Sequence, residues 1–118
     1  MILVEKNEGT KIPYEVDGYK VCFDDDLTIN LAKRQEDWAV KIDICSDPDG
    51  ALVIGTGAGR YYVAQIDIPA TTYTTSTDET TDENGETVIT VTQTANDLDM
   101  GDVTLTLWKL ENYVTNEN

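Results

Sequence analysis

A few stretches bring together side chains that can do chemistry. Asp24-Asp25-Asp26 sets three carboxylates side by side. In a loop, such hard oxygen ligands collect Ca²⁺ or Mg²⁺, with help from Asp97, Asp99 or Asp102 if another loop comes near. The plainer reading is a solvated turn between Phe23 and Leu27, and the sequence favours it. Asp47-Pro48-Asp49-Gly50 resembles part of an EF-hand loop. Aligned on its glycine, however, that loop would begin at Cys45 and end at Thr56, where an aspartate and a glutamate belong. A turn is the expectation here, since Pro, Asp and Gly each favour one for a separate reason. The sequence therefore predicts no metal or cofactor, with Asp24, Asp25 and Asp26 as the calcium candidates should one bind.

Gly55-Thr56-Gly57-Ala58-Gly59 comes after an apolar run, as a nucleotide loop would. The dinucleotide fingerprint wants glycine where Arg60 stands and a helix beyond it, and a phosphate loop wants a Lys-Ser or Lys-Thr pair. The residues from Arg60 to Ile68 are β-patterned instead, so a turn or a β-bulge is expected. Histidine is absent, which removes a His-based triad. No serine stands in a nucleophile-elbow context. Paired carboxylates serve glycoside hydrolysis, but 23 acidic residues make some such pair inevitable. No catalytic residue is assigned and no enzyme is expected. Cys22 and Cys45 lack metal-ligand spacing. With no export signal in view they are expected as free thiols.

Charge narrows the partners. The chain has 23 acidic against 8 basic residues, for a net charge of −15. Such a surface repels phosphate, so direct binding to nucleic acid or to anionic membranes is not expected. Solubility, cation binding or a basic protein partner remain. The apolar run Ala51 to Ile54 is far too short to cross a bilayer, and a cytoplasmic location on expression is expected.

The elements that must position these residues are strands. In Trp38-Ala39-Val40-Lys41-Ile42-Asp43-Ile44-Cys45 the large apolar residues fall at every second position. That rhythm puts Trp38, Val40, Ile42 and Ile44 on one face of a strand, with charge on the other. Both tryptophans, Trp38 and Trp108, are expected in the core. Tyr73 is the aromatic expected to be exposed. Further strands are predicted at 2–4, 12–16, 19–23, 27–33, 51–54, 60–68 and 103–110. Pro13 makes the second of these an edge strand or an irregular one, and a helix over 27–37 is the weaker alternative. Residues 72–79 and 87–94 are the arms of a long Thr-rich hairpin, turned at Asn84-Gly85 in a two-residue loop. That turn would oppose Glu83 to Glu86 and leave a frayed tip. Residues 1–112 make one β-domain, and 113–118 a loose tail. The class is all-β: an antiparallel sandwich, Ig-like or jelly-roll-like, or a barrel, carrying a polar hairpin arm at about 72–94.

Leu27-Thr28-Ile29-Asn30-Leu31-Ala32-Lys33-Arg34, Tyr62 to Pro69 and Asp102 to Trp108 resemble small β-proteins encoded in the structural-gene regions of phages and prophages of Gram-positive bacteria. The resemblance implies a virion or prophage β-domain and carries over no functional residue. The function expected is a non-enzymatic structural or accessory role through protein–protein contacts, including contacts with itself, and a virion location once assembled. The contact residues expected are Tyr73, Thr75, Thr77, Asn84, Gly85 and Thr90 on the arm. An acidic nucleic-acid mimic and a carbohydrate-binding or adhesin-like module are the alternatives.

Overall fold

Alternating apolar residues pull most of the predicted strands onto a shared core. The computed structural model describes residues 1–57, 59–111 and 113–115. Among these residues ten strands run in chain order: β1 (Ile2–Glu5), β2 (Tyr14–Asp17), β3 (Lys20–Phe23), β4 (Leu27–Asn30), β5 (Val40–Ser46), β6 (Leu52–Ile54), β7 (Tyr61–Ile68), β8 (Tyr73–Thr81), β9 (Thr87–Ala95) and β10 (Thr104–Leu107). They make a five-stranded sheet β1-β10-β7-β5-β6, a three-stranded sheet β2-β3-β4 and a two-stranded ribbon β8-β9. The chain is all-β. None of the sheets closes into a barrel, which corrects that alternative. Pairing is not antiparallel throughout either, because β1 runs parallel to β10.

The first two sheets bury their apolar faces in one cluster. Val21, Phe23 and Ile29 come from the smaller sheet, with Ile12 and Leu31 beside it. Ile42, Ile44, Ile66, Ile68, Leu105 and Leu107 come from the larger. As Pro13 requires, β2 begins only at Tyr14 and lies at a sheet edge. The strand predicted over 27–33 stops at Asn30. The Asn30 side-chain oxygen accepts from the Lys33 N–H (3.2 Å), and Leu31 O accepts from the Arg34 N–H (3.0 Å). That local bonding turns the chain into a short 3-10 turn, Ala32–Arg34.

Two departures in the central sheet have definite causes. The octet forms a strand only from Val40, and Trp38 is 64% exposed, so it is not a core residue. Val40 pairs with Ile68, the last residue of β7. Extension to Ala39 and Trp38 would need a partner at Pro69, which has no N–H to give. The second departure is a β-bulge in β7. Ile44 pairs with Ala64 but Cys45 pairs with Tyr62, leaving Val63 as the extra residue. Val63 and Ala64 are both buried in consequence. The bulge moves Tyr62 off the core face shared by Ala64, Ile66 and Ile68, where alternation alone would place it. Ser46, completely buried on β5, has a hydroxyl oxygen without a hydrogen-bond partner among the described residues.

The β8-β9 ribbon stands apart. Every residue of both strands is exposed. The molecule measures 73 × 25 × 22 Å with a radius of gyration of 20.6 Å, against roughly 13–14 Å for a compact chain of this length. The ribbon is the projecting arm the sequence predicts.

Candidate functional site

The arm is the strongest candidate for a functional surface, and its turn decides which side chains it presents. The tip is a three-residue loop rather than the two-residue turn at Asn84-Gly85. Asp82 O accepts from Gly85 N–H (3.1 Å) and Glu86 O accepts from Asp82 N–H (2.9 Å). The Asp82 carboxylate also accepts from the N–H groups of Asn84 and Glu86, each at 2.9 Å. Gly85 takes a φ of 78°, the left-handed conformation this loop requires. Asp82, not Glu83, therefore lies opposite Glu86, and the tip is an organised turn. The β5–β6 hairpin closes in the same way. Asp47 O and N–H bond Gly50 N–H and Ala51 O, and its carboxylate accepts from Asp49 and Ala51. Asp47-Pro48-Asp49-Gly50 is thus a turn whose first carboxylate is engaged by its own backbone.

Moving the turn by one position slips the ribbon register, and a one-residue slip sends side chains to the other face. A turn at Asn84-Gly85 would pair Val91 with Asp78. The observed partners are Thr77–Val91, Asp78–Thr90 and Glu79–Ile89. Tyr73, Thr75 and Thr77 share one face of β8, as expected. Ile89 and Val91 join them there, 63% and 62% exposed. Thr90 falls on the opposite face, and Asn84 and Gly85 sit in the turn. The predicted contact set is therefore split between the two faces and the turn, and the face of Tyr73, Thr75 and Thr77 is shared by Ile89 and Val91, which lie outside that set. Their β-branched character was visible in the sequence, but their face depended on the turn.

The arm is fixed at its root. Asn96 N–H donates to Thr72 O (2.8 Å), and its side chain bonds both Thr72 and Thr74. Glu36 O accepts from the Thr71 N–H (2.8 Å) and hydroxyl (3.0 Å), and the Gln35 amide donates to Pro69 O. The Tyr73 hydroxyl donates to the Asp37 carboxylate. That bond, with smaller help from desolvation and the Asp37 charge, raises the Tyr73 pKa. The segment before Trp38 is thus stitched to the arm.

The outward face of the five-stranded sheet offers a second surface. Tyr62, displaced there by the bulge, stacks on Trp108 with ring centroids 5.0 Å apart. Gln65 donates to Asp43 nearby (2.7 Å). The Asp43 charge, then desolvation, raises the Tyr62 pKa. Burial, with Asp43 adding to it, pushes the Cys45 thiol up as well, which makes it a poor nucleophile. Cys22 and Cys45 are free. Among the described residues, a depression lined by Pro48, Asp49, Gly50 and Val114 offers one carboxylate and no second group to act with it.

The carboxylate triplet does structural work. Asp24 and Asp25 both adopt positive φ, 55° and 52°, in the β3–β4 turn. Among the described residues no group of three or more His, Cys, Asp or Glu side chains is arranged to hold a metal. Asp24 is buried, and its carboxylate accepts from the Tyr113 hydroxyl (2.5 Å). Tyr113 packs against the core, so the segment expected as a loose tail begins with an anchored residue; 116–118 lie outside the described residues. Desolvation first, then the bond to Asp24 and the charges of Asp24 and Asp26, raise the Tyr113 pKa far above its ordinary value. In the unfolded chain Tyr113 ionises near pH ~10, while in the folded chain it stays neutral. Its contribution is intact below that pH and is lost as pH rises through the raised folded value. Urea midpoints measured across alkaline pH are expected to fall with pH. In Tyr113→Phe that fall should be markedly shallower. An equal slope in both proteins would remove Tyr113 as its source.

Compared with protein-family models, with curated proteins and with solved structures, the chain gives no significant match.

Proposed function

We propose that this chain is a non-enzymatic structural or accessory protein of the phage or prophage type, working through protein–protein contacts, with the β8-β9 arm as its contact element. One observation carries the reading: nine cross-strand pairs project from the body with no buried residue, on a root fastened by side-chain and backbone bonds. A two-stranded ribbon is at best marginally stable alone in water. Ordering it costs conformational entropy that exposed threonines do not recover. A protein partner covering Ile89, Val91, Tyr73 and Thr77 would recover it by burying apolar surface and pairing open strand edges. The body in this reading is a support of the sandwich kind, holding the arm at a set angle.

Photo-crosslinking in the expressing cell tests this. A photoreactive amino acid at Ile89 is expected to yield a protein adduct, and the same group at exposed Thr28 on β4 is expected to yield none. Adducts from Thr28 with none from Ile89 would place the contact surface on the body and end the reading.

A further inference from the structure

Open strand edges invite pairing, and most edges here carry a device against it. β6 is three residues long. β1 and β4 have four residues each, and Lys6 follows β1. β2 carries Glu15 and Asp17, and β8 carries Asp78 and Glu79 at mid-strand. Short length and charge are the usual protections. β9 has neither. Thr87–Ala95 is nine exposed residues without a charge, a proline or a glycine, and its register with β8 shows no shift. It combines β-branched residues, neutrality and length, the composition that drives strand addition.

Resting on the reading of the arm as a contact element, we infer that the outer edge of β9 pairs antiparallel with β9 of a second copy, joining two arms into a four-stranded ribbon across a two-fold axis. Charge selects the side of the arm on which a second copy can sit. Each chain carries −15, and all five arm carboxylates (Asp78, Glu79, Asp82, Glu83, Glu86) lie on β8 or in the turn. β9 is the side of the arm that meets a copy of itself without opposing carboxylates along the strand. The backbone agrees. Asn96 N–H points to Thr72 and Glu86 O accepts from Asp82, so the even-numbered residues of β9 bond inward to β8. The alternation of an antiparallel ladder then turns the N–H and C=O of Ile89, Val91 and Gln93 outward. With Val91 at the axis, Val91 meets Val91 of the second copy and Ile89 meets Gln93. Four strands also pass the minimum at which a sheet with an apolar face stands alone.

Sedimentation velocity of the full chain over a range of concentrations tests the pairing. A dimer is expected, strengthened by added salt because the copies repel at long range. Val91→Pro removes an outward N–H and leaves the bonds to β8; Val91→Lys puts charge on the edge. Each is expected to weaken association by at least about tenfold. A shortened arm lacking Ser76–Thr81 and Thr87–Thr92, with the Asp82–Glu86 turn closing Thr75 on Gln93 so that the ladder alternation is kept, should be monomeric. If both Val91 variants dimerise as the parent does while the shortened arm does not, the β9 edge falls and the arm stands as a contact element. Dimers that survive shortening overturn both. A parent chain that stays monomeric throughout overturns the second copy as occupant, and the Ile89 crosslink then decides the arm.

Discussion

Phe23→Ala is expected to cost about 3–5 kcal/mol of folding stability and to shift the urea midpoint far toward zero. Phe23 is the only phenylalanine in the chain and has no exposed surface. It sits at the end of β3, paired with Tyr14 on one side and Leu27 on the other. Its ring belongs to the cluster that also holds Ile42, Ile44, Ile66 and Leu105 from the larger sheet. The three strands of the smaller sheet are four residues each, so ladder bonds alone hold it weakly, and its place is set by what Val21, Phe23 and Ile29 bury. Truncation removes the largest of these and leaves a cavity between sheets. A domain of this kind has roughly 5–15 kcal/mol in total, so the loss is a large fraction of it. Phe23→Leu keeps most of the volume and is expected to cost about 1–1.5 kcal/mol. Chemical denaturation of the three proteins at equal m-value checks both numbers. A loss under about 1 kcal/mol for the alanine variant would mean that the two sheets do not share a cooperative core.

What the sequence made legible was periodicity, because each strand reports its own faces. Val21 and Phe23, Ala64, Ile66 and Ile68, and Val103, Leu105 and Leu107 were all readable from alternation. The projecting arm was readable too, since few of its residues have core chemistry. What a strand does not report is its neighbour. Trp38 keeps the rhythm of its octet, but β7 ends at Ile68, before Pro69, and leaves it nothing to pair with. The parallel lie of β1 against β10 joins opposite ends of the chain, and no local pattern encodes it. The anchoring of Tyr113 on Asp24 spans 89 positions and was equally invisible. On the arm, the exposure of Tyr73, Thr75 and Thr77 was legible from composition. Ile89 and Val91 were placed only once Asp82 was seen to close the loop, because a single residue in the turn decides which face they share.

Gly59→Ala is expected to destabilise the fold by about 2–3 kcal/mol, near the top of the usual overpacking range. In the glycine-rich run after β6, a Cβ at Gly55 or Gly57 would meet nothing within 4 Å, whereas Gly59 is packed close against β5. A Cβ at Gly59 would lie 2.4 Å from Cys45 Cβ, 3.0 Å from Cys45 Sγ and 3.2 Å from Gly55 O. The first of these is far inside any contact that real Cβ atoms make, and the atom it meets is the stiff root of a side chain. Cys45 cannot swing away, because it is buried at the bulge and tied into the sheet by its pairs with Tyr62 and Val53. The Arg60 N–H also donates to Ser46 O (2.8 Å), holding the loop close. The clash is with Cβ and not with sulfur, so Cys45→Ala should give little rescue. Cys45→Gly should recover much of the loss in the double variant, as a positive coupling in a double-mutant cycle. Full rescue by Cys45→Ala would show that the sulfur is the obstacle, and an unchanged urea midpoint for Gly59→Ala would show that the loop stands clear of β5.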